Sequence, residues 1–118
     1  MQKFILTYTK IKFYPLQPVM ADIKIEDIAH ALSLMTRANG HFKHFYSVAQ
    51  HSLACCKEAE KRGYSYRVQL GCLLHDASES YISDITRPVK QQMQEYYLIE
   101  DKLQRCIYER YRLEDLNS

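Results

Sequence analysis

The stretch Leu70-Gly71-Cys72-Leu73-Leu74-His75-Asp76-Ala77-Ser78-Glu79 constrains this chain more than any other. Five residues without charge run straight into an imidazole, a carboxylate and, three places on, a second carboxylate. A helix that is apolar all round is normally buried. A buried imidazole or carboxylate is costly unless something pairs with it. Any fold that accepts this stretch must therefore supply His75 and Asp76 with a partner.

The rest of the chain points to helices around that stretch. Only three Gly and three Pro occur in 118 residues, which leaves room for long regular segments and few turns. The length suits one domain over 1–118 with one core. The expected fold class is all-α, with a short N-terminal β-hairpin or extended arm over residues 1–18. That arm is rich in β-branched and aromatic residues and is closed by Pro15 and Pro18. Helical spacing predicts a first helix over 23–35, capped by Asp22, and a second from Ser47 to about Arg62, stopped by Gly63. It predicts a third over 66–81 carrying the central stretch, a break at 82–85, and a helical turn at Thr86-Arg87-Pro88. A last helix over 92–111 should turn Met93, Tyr96, Tyr97, Leu103, Ile107 and Tyr111 inward.

Net charge is +2 with both signs interspersed, so no basic block suggests a nucleic acid polymer as partner. A small phosphorylated substrate is compatible with that balance. No stretch reaches membrane-spanning length. Met1-Gln2-Lys3 opens no signal peptide, so a cytoplasmic protein is expected. Cys55, Cys56, Cys72 and Cys106 then read as reduced core cysteines.

The pattern around His75 admits two readings. One is a buried His–Asp hydrogen bond that only stabilises the core. The other is a divalent metal, for which a neutral imidazole beside a carboxylate is a suitable donor pair. On a continuous helix His75 and Glu79 share a face and Asp76 is turned by about a hundred degrees, still able to reach an ion between them. Glu79 then touches water beside the ion rather than the ion. His51, at the edge of the second helix's apolar stripe, adds a third donor if the two helices pack as antiparallel neighbours. Asp84 in the following break suits either a helix stop or a carboxylate that handles water. Arg37, His41, Lys43 and His44, in the loop before the second helix, read either as a solvated basic loop or as phosphate recognition. Arg87 and Lys90 read as surface cations, and His30 as structural.

Three ordered motifs carry a resemblance: Tyr46-Ser47-Val48-Ala49-Gln50-His51-Ser52, Leu73-Leu74-His75-Asp76-Ala77-Ser78-Glu79, and Asp84-Ile85-Thr86-Arg87-Pro88-Val89-Lys90. With the segments around Leu6-Thr7-Tyr8-Thr9 and Ile25 to Ser33, they resemble the HD-domain metal-dependent phosphohydrolases, in particular the 5'-deoxyribonucleotidase-like branch. The resemblance implies an HD-domain helical bundle with a divalent ion (manganese, cobalt, iron, zinc or magnesium) between helices. It implies His51, His75 and Asp76 as metal ligands, Glu79 and Asp84 as catalytic carboxylates, and Arg37 as the residue receiving substrate phosphate. The implied reaction is hydrolysis of a phosphomonoester, most simply a nucleoside 5'-monophosphate. The resemblance also implies a fourth ligand, an Asp on a helix well downstream. Asp101 and Asp115 are the only later Asp residues, and neither has a matching context. The domain is therefore expected to lack the C-terminal helix region of longer relatives. That leaves open a catalytically impaired metal- or nucleotide-binding or regulatory module, and a homo-oligomer that covers apolar surface on the last helix.

Overall fold

The computed structural model describes residues 3–117, so the expectations for residues 1–18 and 1–118 extend at Met1, Gln2 and Ser118 outside the described residues. Two short strands, β1 (Ile5–Leu6) and β2 (Lys12–Phe13), pair antiparallel with Ile5 opposite Phe13 and Leu6 opposite Lys12. Six helices follow: α1 (Ile25–Leu34), α2 (Val48–Lys61), α3 (Tyr66–Leu74), α4 (Glu79–Ile82), α5 (Arg87–Lys90) and α6 (Gln94–Arg110). Short 3-10 turns lie at Met20–Asp22, Arg37–Gly40 and Glu114–Asn117. The expected all-α domain with an N-terminal hairpin is what forms.

The hairpin is an anchor, not a loose arm. Phe13 is fully buried and its ring stacks on Tyr81 at 3.9 Å. The buried Asp27 carboxylate of α1 accepts hydrogen bonds from Thr9 N–H at 2.7 Å and from the Thr9 hydroxyl at 3.0 Å. His30 stacks on Tyr8, in the structural role expected of it. Asp22 does not cap α1. It sits in the preceding 3-10 turn, and Lys24 is the N-cap, with no side-chain bond.

Helix α2 begins and ends where its sequence says. Ser47 accepts from Gln50 N–H, and Gln50 accepts in turn from Ser47 N–H, a reciprocal capping box. At the other end Gly63 takes φ +78°, and Gly63 and Tyr64 return hydrogen bonds to Glu60 and Ala59, closing the helix on a left-handed glycine. That tight turn lets α3 fold back along α2.

The third helix departs from expectation. It is not continuous over 66–81. It stops at Leu74, passes through turns at 75–78, and resumes as α4. Backbone bonds there run i to i−3: Ala77 to Leu74, Glu79 to Asp76, Ser80 to Ala77. Gln104 of α6 spans the break, accepting from Ser78 N–H at 3.2 Å and donating to the Leu74 carbonyl at 2.8 Å. Leu74, Ala77 and Tyr81 remain buried on the inner side, with Ile28, Leu32, Val48, Leu103 and Ile107.

In α6 the buried residues are Leu103, Ile107 and Tyr108. Met93 and Tyr97 are exposed rather than inward, because the N-terminal end of α6 overhangs the core and faces α5 instead. Among the described residues no helix is long and apolar enough to cross a membrane, and all four cysteines are free and half-buried.

Candidate active site

Ligand-type side chains meet where α2 crosses the break after α3. His51, one turn into α2, points its Nε2 at the Asp76 carboxylate, 3.7 Å away. His75 Nε2 lies 3.1 Å from the same Oδ2. The two imidazoles meet edge to face at 5.3 Å. His75 Nδ1–H donates to the Cys72 carbonyl at 2.6 Å, which aims Nε2 outward. The residues that the spacing singled out are thus brought together, but not as a buried pair. The His75 side chain is 38% exposed and Asp76 22%, because the break lifts them from the core to its rim.

The break also changes which residues share a face. With i to i−3 bonding, side chains three apart eclipse one another. Glu79 therefore pairs with Asp76 through a side-chain hydrogen bond, not with His75 as a continuous helix would have it. Burial, then the charges of Asp76 and Asp84, push the Glu79 carboxyl up to about 9. Burial works against Asp76 as well, but the His75 hydrogen bond and charge outweigh it and hold its pKa below the usual range. His75 is raised, first by its bond to Asp76, while His51 is lowered by burial and by the Arg37 guanidinium. Among these groups, then, the proton sits on Glu79 and the negative charge on Asp76.

Three segments, with Tyr97 of α6, wall a cavity of about 490 Å³ beside these groups. Arg37 comes from the loop before α2, Asp76 and Glu79 from the break, and Asp84, Arg87 and Lys90 from the segment after α4. Arg37 is fixed at the base of its loop: its N–H donates to the Tyr46 carbonyl at 2.8 Å, and Thr36 bridges Ser47. The next two residues, Ala38 and Asn39, take left-handed φ angles of 55° and 52°. Non-glycine residues persist there only when the surroundings over-determine them. Asp84 is held by its neighbour Ser83, whose φ is 70° and whose carbonyl accepts from the Tyr96 hydroxyl at 2.7 Å. Lys90 is fixed by Glu100 at 2.8 Å and lies over the rings of Tyr96 and Tyr97.

Several residues sit otherwise than their sequence suggested. Arg87 and Lys90 are cavity walls, not plain surface cations. Tyr97 lines the cavity instead of packing into the core. His41, Lys43 and His44 are exposed and line none of it. Cys55, read as a core cysteine, brings its Sγ to 3.6 Å from His51 Nε2. Its i, i+4 spacing from His51 was the available signal, since such pairs share a helix face. Asp101 pairs with Arg105, and Asp115 with Arg67.

The donor set fits a divalent ion. His51, Cys55 and His75 offer ligand atoms all within 4.8 Å of one another. The Asp76 oxygen touches both imidazoles at separations near the roughly 3.3 Å expected between nitrogen and oxygen ligands of a tetrahedral ion.

A profile of the HD domain matches residues 31–115. An uncharacterized protein of Escherichia coli (strain K12), YfdR, is 37% identical over 115 residues, covering 98% of this chain and 62% of the relative. An uncharacterized protein of Rhodobacter capsulatus is 39% identical over 104 residues, covering 83% of this chain and 53% of the relative. The chain thus spans between about half and three-fifths of the curated relatives it matches.

Proposed function

This chain belongs to the HD-domain family, and on that premise we propose that it is a metal-dependent phosphohydrolase acting on a nucleoside 5'-monophosphate, in the 5'-deoxyribonucleotidase-like branch. The observation that carries the reading is the cavity. Three separate segments bring Arg37, Arg87 and Lys90 onto the same space as Asp76, Glu79 and Asp84. A phosphate needs cations, and its hydrolysis needs groups that give and take protons.

His51, His75 and Asp76 are the residues that would hold the ion. When bound, a divalent ion polarises a phosphoryl oxygen and makes water a nucleophile at neutral pH. Arg37 offers a planar fork to two phosphate oxygens, and Lys90 and Arg87 add positive charge to the same cavity. Asp84 accepts the proton that the attacking water loses. Glu79, protonated near neutral pH, donates to the sugar oxygen as the phosphorus–oxygen bond breaks. The cavity volume falls in the range typical of small-molecule sites, enough for a phosphate and a nucleoside.

The test is phosphate release from a panel of ribo- and deoxyribonucleoside 5'-monophosphates, with manganese, cobalt, zinc or magnesium. Turnover should appear with at least one metal and vanish in Asp76→Asn. Metal binding without phosphate release from any nucleotide would refute the enzyme reading and favour a non-catalytic binding module.

A further inference from the structure

We propose that Cys55 is a thiolate ligand of the same metal centre, making it a His51–Cys55–His75–Asp76 site that prefers zinc or cobalt over magnesium. The proposal rests on the metal-site reading above and adds a ligand to it.

The geometry is specific. In a tetrahedral site with metal–sulfur bonds of about 2.3 Å and metal–nitrogen bonds of about 2.0–2.1 Å, sulfur and nitrogen ligands stand roughly 3.5 Å apart. Cys55 Sγ is 3.6 Å from His51 Nε2, the nitrogen that also faces Asp76. Nδ1 of the same ring is 4.0 Å from the sulfur, so Sγ lies beside the ring edge between the two nitrogens, somewhat nearer Nε2, and a small turn of the imidazole would bring Nε2 and Sγ onto one ion. His75 completes a triangle with all donor atoms within 4.8 Å. His51 and Cys55 are four apart on α2, where a rigid helix holds both on one face. His75 comes from across the α2–α3 interface, so the donors converge only in the folded chain. Asp76 stands beside this triangle, its Oδ2 3.7 Å from His51 Nε2 and 3.1 Å from His75 Nε2.

The chemical consequence is selectivity. His51, His75 and Asp76 alone suit many divalent ions, whereas a sulfur donor disfavours magnesium and manganese and favours zinc and cobalt. As the sulfur–metal bond forms, the thiol proton leaves to solvent, and no oxidant or reductant takes part.

Cobalt(II) and zinc(II) titrations of the full chain test this. Wild-type protein with cobalt should show a thiolate-to-cobalt charge-transfer band in the near ultraviolet alongside visible ligand-field bands. Cys55→Ser should lose the charge-transfer band and keep the ligand-field bands. Cys72→Ser should keep both. Zinc affinity should fall at least about tenfold in Cys55→Ser, the low end of what losing even an outer partner of a metal site costs, while manganese affinity holds. Zinc should also protect Cys55, but not Cys56 or Cys72, from alkylation mapped by mass spectrometry, a readout that needs no variant to fold. Bound cobalt without a charge-transfer band in the wild type, or a band that survives Cys55→Ser, overturns the Cys55 assignment and leaves the three-ligand centre standing. Failure to bind any of the four metals overturns both.

Discussion

Replacing Gln104 by Met should loosen the metal centre from behind, without touching a ligand. Gln104 holds the break at 75–78 with both ends of its amide, one on Ser78 N–H at 3.2 Å and one on the Leu74 carbonyl at 2.8 Å. Met matches its length and flexibility but makes neither bond. The Leu74 carbonyl keeps its bond from Ala77 N–H at 3.0 Å, so its loss is limited. Ser78 is buried, and among the described bonds Gln104 is its backbone N–H's only acceptor. Stranding a buried donor costs about 1–3 kcal/mol, and losing a bond at a carbonyl that keeps another costs about 0.5–1 kcal/mol. The sum, about 1.5–4 kcal/mol, lowers Tm by roughly 6–16 °C at about 4 °C per kcal/mol in a domain of this size. His75 and Asp76 begin the break, so metal affinity should fall by about 10–100-fold, as it does when an outer partner of a metal site is removed. Gln104→Glu keeps the acceptor for Ser78 and should fall between. Thermal melts with and without zinc, together with competition titrations, measure both effects. A Gln104→Met protein that melts within a degree or two of wild type and binds zinc equally well would refute the idea that this amide holds the break.

Glu79→Gln should abolish hydrolysis yet stabilise the ion-free protein near neutral pH. An acid whose folded pKa is raised from 4.5 to about 9 contributes most stability below pH 4.5 and loses it as pH climbs toward 9. The amide removes that slope, for a gain near neutral pH of roughly 1–2 kcal/mol once solvent screening is allowed for. An unchanged stability–pH profile would contradict it. Ser47→Ala removes half of the capping box on the helix that carries His51 and should cost about 1 kcal/mol in urea denaturation. Arg37→Ala should raise KM for a nucleotide far more than Lys43→Ala, since only Arg37 reaches the cavity; equal effects would restore the exposed loop as the phosphate site. Removing metal with a chelator should lower Tm, and restoring it at a hundred times its Kd should return about 2.7 kcal/mol.

The sequence by itself determined most of the local elements and pointed to the residues of the candidate site. Ser47 with Gln50 and Gly63 with Tyr64 mark both ends of α2, because caps are made by residues a few places apart. The scarcity of Gly and Pro foretold helices, and the β-rich segment before Pro15 foretold the hairpin. His51, His75, Asp76, Glu79 and Asp84 stand out by residue type and order, and Arg37 through the family resemblance; Arg37, Asp76, Glu79 and Asp84 line one cavity, and His51 and His75 lie beside it with Cys55.

What tertiary structure decided was how those residues stand to one another. The apolar run before His75 reads as one helix because nothing within it forbids helix. At the interruption the side-chain amide of Gln104, some thirty positions away, takes both halves of the Ser78 N–H to Leu74 carbonyl bond that a continuous helix would make. The break puts Asp76 and Glu79 on one face and His75 at the rim. Arg87 and Lys90 carry no local mark that separates a cavity wall from a surface cation, and for Cys55 only the i, i+4 spacing from His51 hinted at more than a core thiol. Their roles follow from α5 closing against α6 through Lys90 and Glu100, and from α2 laying Cys55 beside His75. Propensity and capping act between near neighbours and can be read along the chain. The meeting of donors from different helices depends on packing over long sequence separations, and only the folded molecule supplies it.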